Sequence, residues 1–298
     1  VCHVARIFWH DQINLSEMVM RSWTRPAPHV VFLLVVSAVA STQIKREVLA
    51  YNVSARPVIS IRNQYGRITV TPSNGGHVVA TVIHSDAVSI QAQQIENHIE
   101  LVTGSQISTG AKADNVDYQV LVPADACVIL STAAGSLSAE NLEGDLIFEG
   151  TTASVDAHLI HNAHVHVKTL SGPISLRQVT DGHVDVTTSS GDVLLQDVTG
   201  PMVEVHSGTG HIRYLGNPGD GFYKLVTGTG NIDVAVASAR LAHVKARSIK
   251  GKVDNQILPA RPIAASSFAS SKTLLPQGSA AFELHSFRGN ILVREASK

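Results

Sequence analysis

From about residue 58 onward, apolar side chains alternate with polar ones in short runs, and the runs recur at a nearly fixed spacing. A glycine precedes the clearest of them: Gly172-Pro173-Ile174-Ser175-Leu176, Gly191-Asp192-Val193-Leu194-Leu195, Gly210-His211-Ile212-Arg213-Tyr214 and Gly230-Asn231-Ile232-Asp233-Val234. These glycines stand 19, 19 and 20 residues apart, and the frame extends back to Ala153 and Gly135 and forward to Gly251 and Gly289. The last interval, 38 residues, has the length of two repeats. Counted from each anchor glycine, apolar residues fall at −7, −5, +2 and +4, as in Val165, Val167, Ile174 and Leu176. Period two on both sides of the glycine means two strands, each with one face buried; the change of phase between them makes the glycine a corner.

Three residues before the anchor stands a hydroxyl: Thr132, Thr169, Thr188, Ser207, Thr227, Ser248 and Ser286. At a bend such a group can bond backbone atoms that the strands leave bare. A second glycine, Gly144, Gly182, Gly200 or Gly221, serves the other corner,. Alternating strands with frequent turns also describe a sandwich or barrel, but those folds do not need apolar, hydroxyl and glycine positions to recur together. Stacked coils do.

The pattern therefore predicts an all-β fold, a single-stranded parallel β-solenoid or β-helix with coils of about 19 residues. Its repeats occupy 131–298 and a β-rich N-terminal cap occupies 44–130, the two forming one continuous domain, 44–298. In the cap, Ile59, Ile61, Gly66, Ile68 and Val70 match the coil template once, and 78–83, 98–102 and 118–122 read as ordinary strands. The segment 258–278, rich in Pro, Ala and Ser, takes the place of one coil as a loop or irregular turn,. About nine coils, each rising roughly 4.8 Å, make a rod about 40 Å long.

Ahead of this domain, Arg21 and Arg25 precede an apolar stretch from Val30 to Ala40 that ends in the small residues Ala38 and Ala40. Those are the parts of a secretory signal peptide over 20–40, and its apolar run is too short to span a bilayer. Residues 1–19 fit no part of it and read as a start assigned too far upstream. The expected location is extracytoplasmic: periplasm, cell surface or secreted. The chain's 23 basic and 24 acidic side chains nearly cancel, and no basic stripe interleaved with aromatics is present, which excludes nucleic acid as the expected partner,. Cys2 and Cys127 have no metal-ligand spacing, and loss of Cys2 with the leader would deprive Cys127 of an intrachain partner,.

Three stretches carry a family resemblance: Tyr118-Gln119-Val120-Leu121-Val122-Pro123-Ala124-Asp125-Ala126, then Ser131 through Leu146, then Thr169-Leu170-Ser171-Gly172-Pro173-Ile174-Ser175-Leu176. Over about 55–295 the chain resembles a bacterial domain-of-unknown-function family that bears a candidate-adhesin label. In that family a signal peptide, a V-P-A-D strand end and repeated S-G-D-I turns lead into a β-solenoid. The resemblance implies an extracytoplasmic place and a surface role, and it brings no catalytic residues. Ala153 in place of an anchor glycine, Pro173 within a turn and the segment 258–278 depart from its pattern.

No G-x-S-x-G, P-loop, H-E-x-x-H or C-x-x-C occurs,. The densest titratable feature is histidine: His158, His161, His164 and His166, with His183 one coil later. His164 and His183 share position −8, while His166, Asp185 and Glu204 share −6, on the outward face of the coil. Imidazoles and carboxylates stacked about 5 Å apart could hold zinc or copper, so these five are the candidate metal ligands, set against a plain solvated face. Glycoside cleavage needs two carboxylates converging across a groove, and Asp185 and Glu204 stack instead. Asp145, Asp192, Asn231 and Asn290 beside the turns suit turn conformation and lack a calcium-loop signature. The leading expectation is a non-enzymatic surface protein without a cofactor, its partner an envelope protein or glycan. A carbohydrate-active lyase or hydrolase and a periplasmic metal-binding module are the alternatives.

Overall fold

The computed structural model describes residues 44–86, 88–105, 115–238, 242–257 and 280–296. Residues 1–19, the segment 20–40 expected to be a signal peptide and the segment 258–278 lie outside them. The described residues form strands and turns without a helix, and 20 strands join in one continuous hydrogen-bonded sheet. This is the parallel β-solenoid that the repeat predicts.

Three coils are single long strands running through the corner: β2 (Val58–Pro72), β7 (Cys127–Leu142) and β8 (Leu146–His161). Later coils break into two strands: β9 (His164–Ser171) with β10 (Ile174–Thr180), β11 (His183–Thr188) with β12 (Val193–Val198), β13 (Met202–Ser207) with β14 (Ile212–Gly216), and β15 (Gly221–Thr227) with β16 (Ile232–Val236). The strands before the corner stack into a leading sheet and those after it into a trailing sheet. Parallel register places like on like: Val165, Val184, Val203 and Tyr223 form one inward row, and Ile174, Val193, Ile212 and Ile232 another. All eight side chains are at most 2% exposed. Each such burial is worth roughly 1.5–3 kcal/mol, so the rows are the main source of cohesion.

A third inward row was not expected. Leu142, Ile160, Val179 and Val198, at +7, are buried as well. To turn them inward after +4 the chain takes two outward residues in succession, one of them left-handed. Asn141, Leu159, Gln178 and Asp197 stack at that position with φ of 52–56°. The left-handed residue bends the trailing strand and gives the coil a short third side.

The hydroxyl ladder does what its position predicts. Gly191 N–H donates to Thr188 Oγ1 at 3.0 Å, Gly210 N–H to Ser207 Oγ at 2.9 Å and Gly230 N–H to Thr227 Oγ1 at 3.1 Å. Thr227 in turn donates to the Gly210 carbonyl of the coil beneath at 3.0 Å. One buried hydroxyl thus closes its own corner and ties it to the next. The corners sit so close that a Cβ on Gly210 would lie 1.9 Å from the Gly191 carbonyl oxygen, which no side chain can do. The coil anchored by Ala153 solves the same problem in reverse. Its −3 residue is Gly150, and a Cβ there would meet the Ala153 Cβ at 2.8 Å, so the methyl group has taken the volume of the missing hydroxyl.

Chain order and stacking order differ at both ends. In front, β5 (His98–Ser105) and β6 (Asp117–Val122) form a coil beneath β2, so β2 lies between them and β7. The single template match at Gly66 is therefore a complete coil, stacked directly under Gly135. Antiparallel strands finish that end: β4 (Val88–Ile95) on β5, and β3 (His77–Ser85) on β6 with β1 (Ile44–Asn52) outside it.

At the far end, β19 (Ala280–Ser286) and β20 (Ile291–Glu295) lie between the β15–β16 coil and the coil of β17 (Ala242–Ser248) and β18 (Val253–Asn255). Consecutive stacking up to Gly289 is thus corrected: Gly289 sits over Gly230, and Gly251 over Gly289. Composition gives the reason. Phe282, Leu284, Ile291 and Val293 fill all four inward places of the enclosed coil, whereas the outer one offers Val244, Ala246, Val253 and Asn255. Phe282 packs against Tyr214 and Tyr223, with ring centroids 5.3 and 4.7 Å away.

Val186→Asp, which buries a charge in the leading rows, is expected to abolish folding or cost more than about 4 kcal/mol. His183→Ala, on the outward side, should stay within about 0.5 kcal/mol in the same urea titration. Equal tolerance of the two would reverse the assignment of the faces. Gly150→Thr alone should destabilise by about 1–3 kcal/mol through overpacking against Ala153, and pairing it with Ala153→Gly should recover most of the loss. Additive losses in that double-mutant cycle would show that the two positions do not share one volume.

Candidate functional site

Outward side chains of the leading sheet inherit the same register, so chemistry that is scattered in sequence becomes rows in space. At position −8, Asp145, His164, His183, Met202 and Phe222 succeed one another up the rod. The rings of His164 and His183 stack with centroids 5.6 Å apart and planes 18° from parallel. Asp145 Oδ1 lies 3.1 Å from His164 Nδ1 and accepts the His164 backbone N–H at 3.2 Å.

At −6 the row runs His166, Asp185, Glu204, Lys224, Glu283, Lys245. Its charges pair along the axis: His166 Nδ1 to Asp185 Oδ2 at 3.2 Å, Lys224 Nζ to Glu204 Oε1 at 3.5 Å and Lys245 Nζ to Glu283 Oε1 at 3.9 Å. His285, two residues along β19 from Glu283, contacts the same Oε1 at 2.9 Å. The row is a solvent-facing ladder of ion pairs, each worth little alone.

The structure therefore brings His164 to His183 and His166 to Asp185, while Glu204 turns to Lys224 instead of the histidines. Among the described residues no three His, Cys, Asp or Glu side chains converge on a point where they could hold a metal ion. His158 and His161, adjacent in sequence to the others, belong to the trailing sheet. There His158 Nε2 meets Gln178 Oε1 at 2.7 Å and His161 Nδ1 meets Thr180 Oγ1 at 2.6 Å. The same sheet carries Arg177, whose Nη2 donates to both carboxylate oxygens of Asp156 at 2.8 and 3.0 Å, and Asp233 held by Arg213 at 3.2 Å and Arg294 at 3.3 Å.

Polar residues at +1 have a structural task. Asp192 accepts the backbone N–H of His211 at 2.8 Å, His211 Nδ1 that of Asn231 at 3.0 Å, Asn231 that of Asn290 at 2.8 Å and Asn290 that of Lys252 at 2.9 Å. Each side chain caps the turn of the next coil, which accounts for Asp, Asn and His sharing the place. Sequence reasoning missed Lys224, Glu283 and Lys245 as members of the −6 row. The signal was present, since each stands six residues before an anchor glycine, but joining them requires placing β19 ahead of β17.

The hydrogen bond from His285 holds the Glu283 carboxyl below the usual glutamate range, aided by the charges of His285, Lys245 and Lys224 and opposed by partial burial. A depressed folded-state value adds stability above the ordinary carboxylate range, near pH 4.3, and the gain disappears as pH falls through the folded value. Glu283→Gln is accordingly expected to flatten part of the acid limb when the urea midpoint is followed from neutral pH downward. An unchanged acid limb would mean that the pair adds nothing.

With this geometry established, the chain can be set beside known proteins. No curated protein matches it. Among solved structures, a candidate cell adhesion protein from Clostridium sporogenes is similar, 12% identical, covering 85% of this chain and 100% of its own, with a TM-score of 0.30. A candidate adhesin from Bacteroides fragilis is 15% identical, covers 85% of this chain and 97% of its own, and has a TM-score of 0.29. Another from Parabacteroides merdae is 11% identical with the same coverages and a TM-score of 0.26. The Toastrack DUF4097 family model matches residues 57–262, spanning most of the solenoid, and the chain belongs to that family.

Proposed function

We propose that this protein is an exported, non-enzymatic β-solenoid with an adhesin-like role, presenting its outward rows to a protein or glycan of the cell envelope. The observation that carries this reading is the register of the leading sheet. One paired row of charge, His166 to Lys245, continues without a break over six coils. A partner with its own repeat, such as a linear glycan, would meet polar groups at each step of roughly 4.8 Å. Asp185 is engaged by the His166 imidazole and Glu204 by Lys224, which supports display over acid–base chemistry. The leader-like segment over 20–40 supports a place outside the cytoplasm. No helix among the described residues is long and apolar enough to cross a membrane.

Two measurements test this. Alkaline phosphatase fused after residue 43 should be active, as only an exported reporter is. The protein lacking its leader should co-sediment with purified peptidoglycan sacculi or bind a glycan array, and Asp185→Lys with Glu204→Lys should weaken binding about tenfold, or roughly 1.4 kcal/mol. Reducing ends released from a bound glycan, and lost in that variant, would make the protein an enzyme. Absence of binding to every envelope glycan and protein presented would overturn the display reading.

A further inference from the structure

The rod is electrically lopsided. Residues 44–238 contain 10 Lys and Arg against 19 Asp and Glu, whereas 242–257 and 280–296 together contain 6 against 3. The excess of cations falls on the last two coils of the stack, β19–β20 and β17–β18, and part of it gathers at their anchor corner. There the backbone of Ile249 and Lys250 lies over Ser286 and Phe287, with N–H to carbonyl distances of 3.2 and 2.9 Å. Phe287 and Ile249 therefore project side by side from adjacent coils, 44% and 60% exposed. Lys250 Nζ stands 5.3 Å from the centre of the Phe287 ring and Arg288 Cζ 6.0 Å from it. Arg247 lines the same hollow of about 370 Å³ together with Ile249, His285 and Phe287.

Among the described residues no carboxylate neutralises these cations. Arg247, Lys250, Lys252 and Arg288 are exposed, and none forms an ion pair with a carboxylate. Two of the three acids of these coils, Glu283 and Asp254, are occupied elsewhere: Glu283 by Lys245 and His285, Asp254 by a hydrogen bond from Gln256 at 2.9 Å. In the lower coils the −2 place of Ile249 and Phe287 holds Leu170, itself 54% exposed, Ser189, Gly208 and Gly228, the −4 place of Arg247 includes Glu149 and Lys168, and the −1 place of Lys250 and Arg288 holds the uncharged Ser171, Ser190, Thr209 and Thr229. Two apolar tips side by side, each followed by a cation at −1, thus occur at the far end of the stack.

From this we infer that the Phe287–Ile249 corner docks the end of the rod on an anionic phospholipid surface. Cations without acid partners seek phosphate, and the two apolar tips gain only where they can leave water. An aliphatic tip such as Ile249 finds no such place on a hydroxyl-rich glycan, whereas the boundary between headgroups and acyl chains provides one. Docked there, the rod would rest on its end with both long sheets free. The inference stands beside the display reading and does not require it.

The test uses the protein without its leader, whose described fold lies wholly within 44–296. Both tryptophans, Trp9 and Trp23, precede that segment, so Phe287→Trp installs a lone fluorescent reporter. Vesicles of phosphatidylglycerol mixed with phosphatidylcholine should bind the protein and shift the emission of Trp to the blue, and phosphatidylcholine vesicles should do neither. Lys250→Glu with Arg288→Glu, and separately Ile249→Ser with Phe287→Ser, should each lower partitioning at least about tenfold while circular dichroism stays unchanged. Equal binding to neutral vesicles, binding without an emission shift, or undiminished binding by the charge variant would each overturn the inference. So would capture by soluble polygalacturonate without capture by vesicles, which would assign the corner to an acidic glycan. Sacculus binding that depends on Asp185 and Glu204 is a separate readout, so either proposal can fail alone.

Discussion

The whole stack depends on how closely one corner backbone can approach the next. At the anchor position the chains come so near that a single added carbon would collide with the carbonyl below. That approach lets a hydroxyl three residues earlier bind its own glycine N–H and, in several coils, a carbonyl beneath. Removing buried backbone groups from water costs free energy unless each finds a partner. The corners are where a solenoid would otherwise leave them bare, so glycine and hydroxyl together make continuous stacking possible. The inward valines and isoleucines then supply cohesion.

The same constraint explains why the outward rows exist at all. Because every coil is held at one height and one phase, an outward side chain has little choice of neighbour beyond the residue in the same place one coil away. His164 meets His183, His166 meets Asp185, and Lys224 stands between two glutamates. A surface of this kind is specified by register more than by local sequence. The charges that look dispersed along the chain become an ordered edge-on ladder only in the fold.

Much of this was legible before any coordinates. Period two, the glycine interval and the ladder of hydroxyls at −3 define the two strands and the corner between them, since each reflects a local steric or hydrogen-bonding demand. The +7 row escaped notice because it depends on a left-handed residue, and that conformation is carried here by Asn141, Leu159, Gln178 and Asp197, residue types with no common signature. The order of the last coils escaped for a different reason. Intervals along the chain record contour length, whereas stacking is decided by which coil has the larger apolar content. Within the histidine group, sequence proximity misled: His161 and His164 are three residues apart but lie on different sheets. The basic corner was likewise invisible as a stripe, because Phe287 and Ile249 are brought together across 38 residues.

The displaced terminal coils have a topological consequence. A rod whose coils stacked in chain order could be completed by simple accretion, each new turn settling on the one just synthesised. Here β20 has neighbours on both sides, one of them made earlier and destined to lie farther out. The outer coil must therefore be held off, or reopened, until the last segment is wedged beneath it, and the front end repeats the problem with β2 between β6 and β7. Yet the two ends close differently: β20 is clasped between β16 and β18, whereas at the front the interleaved strand is β2 and β1 lies outermost on β3.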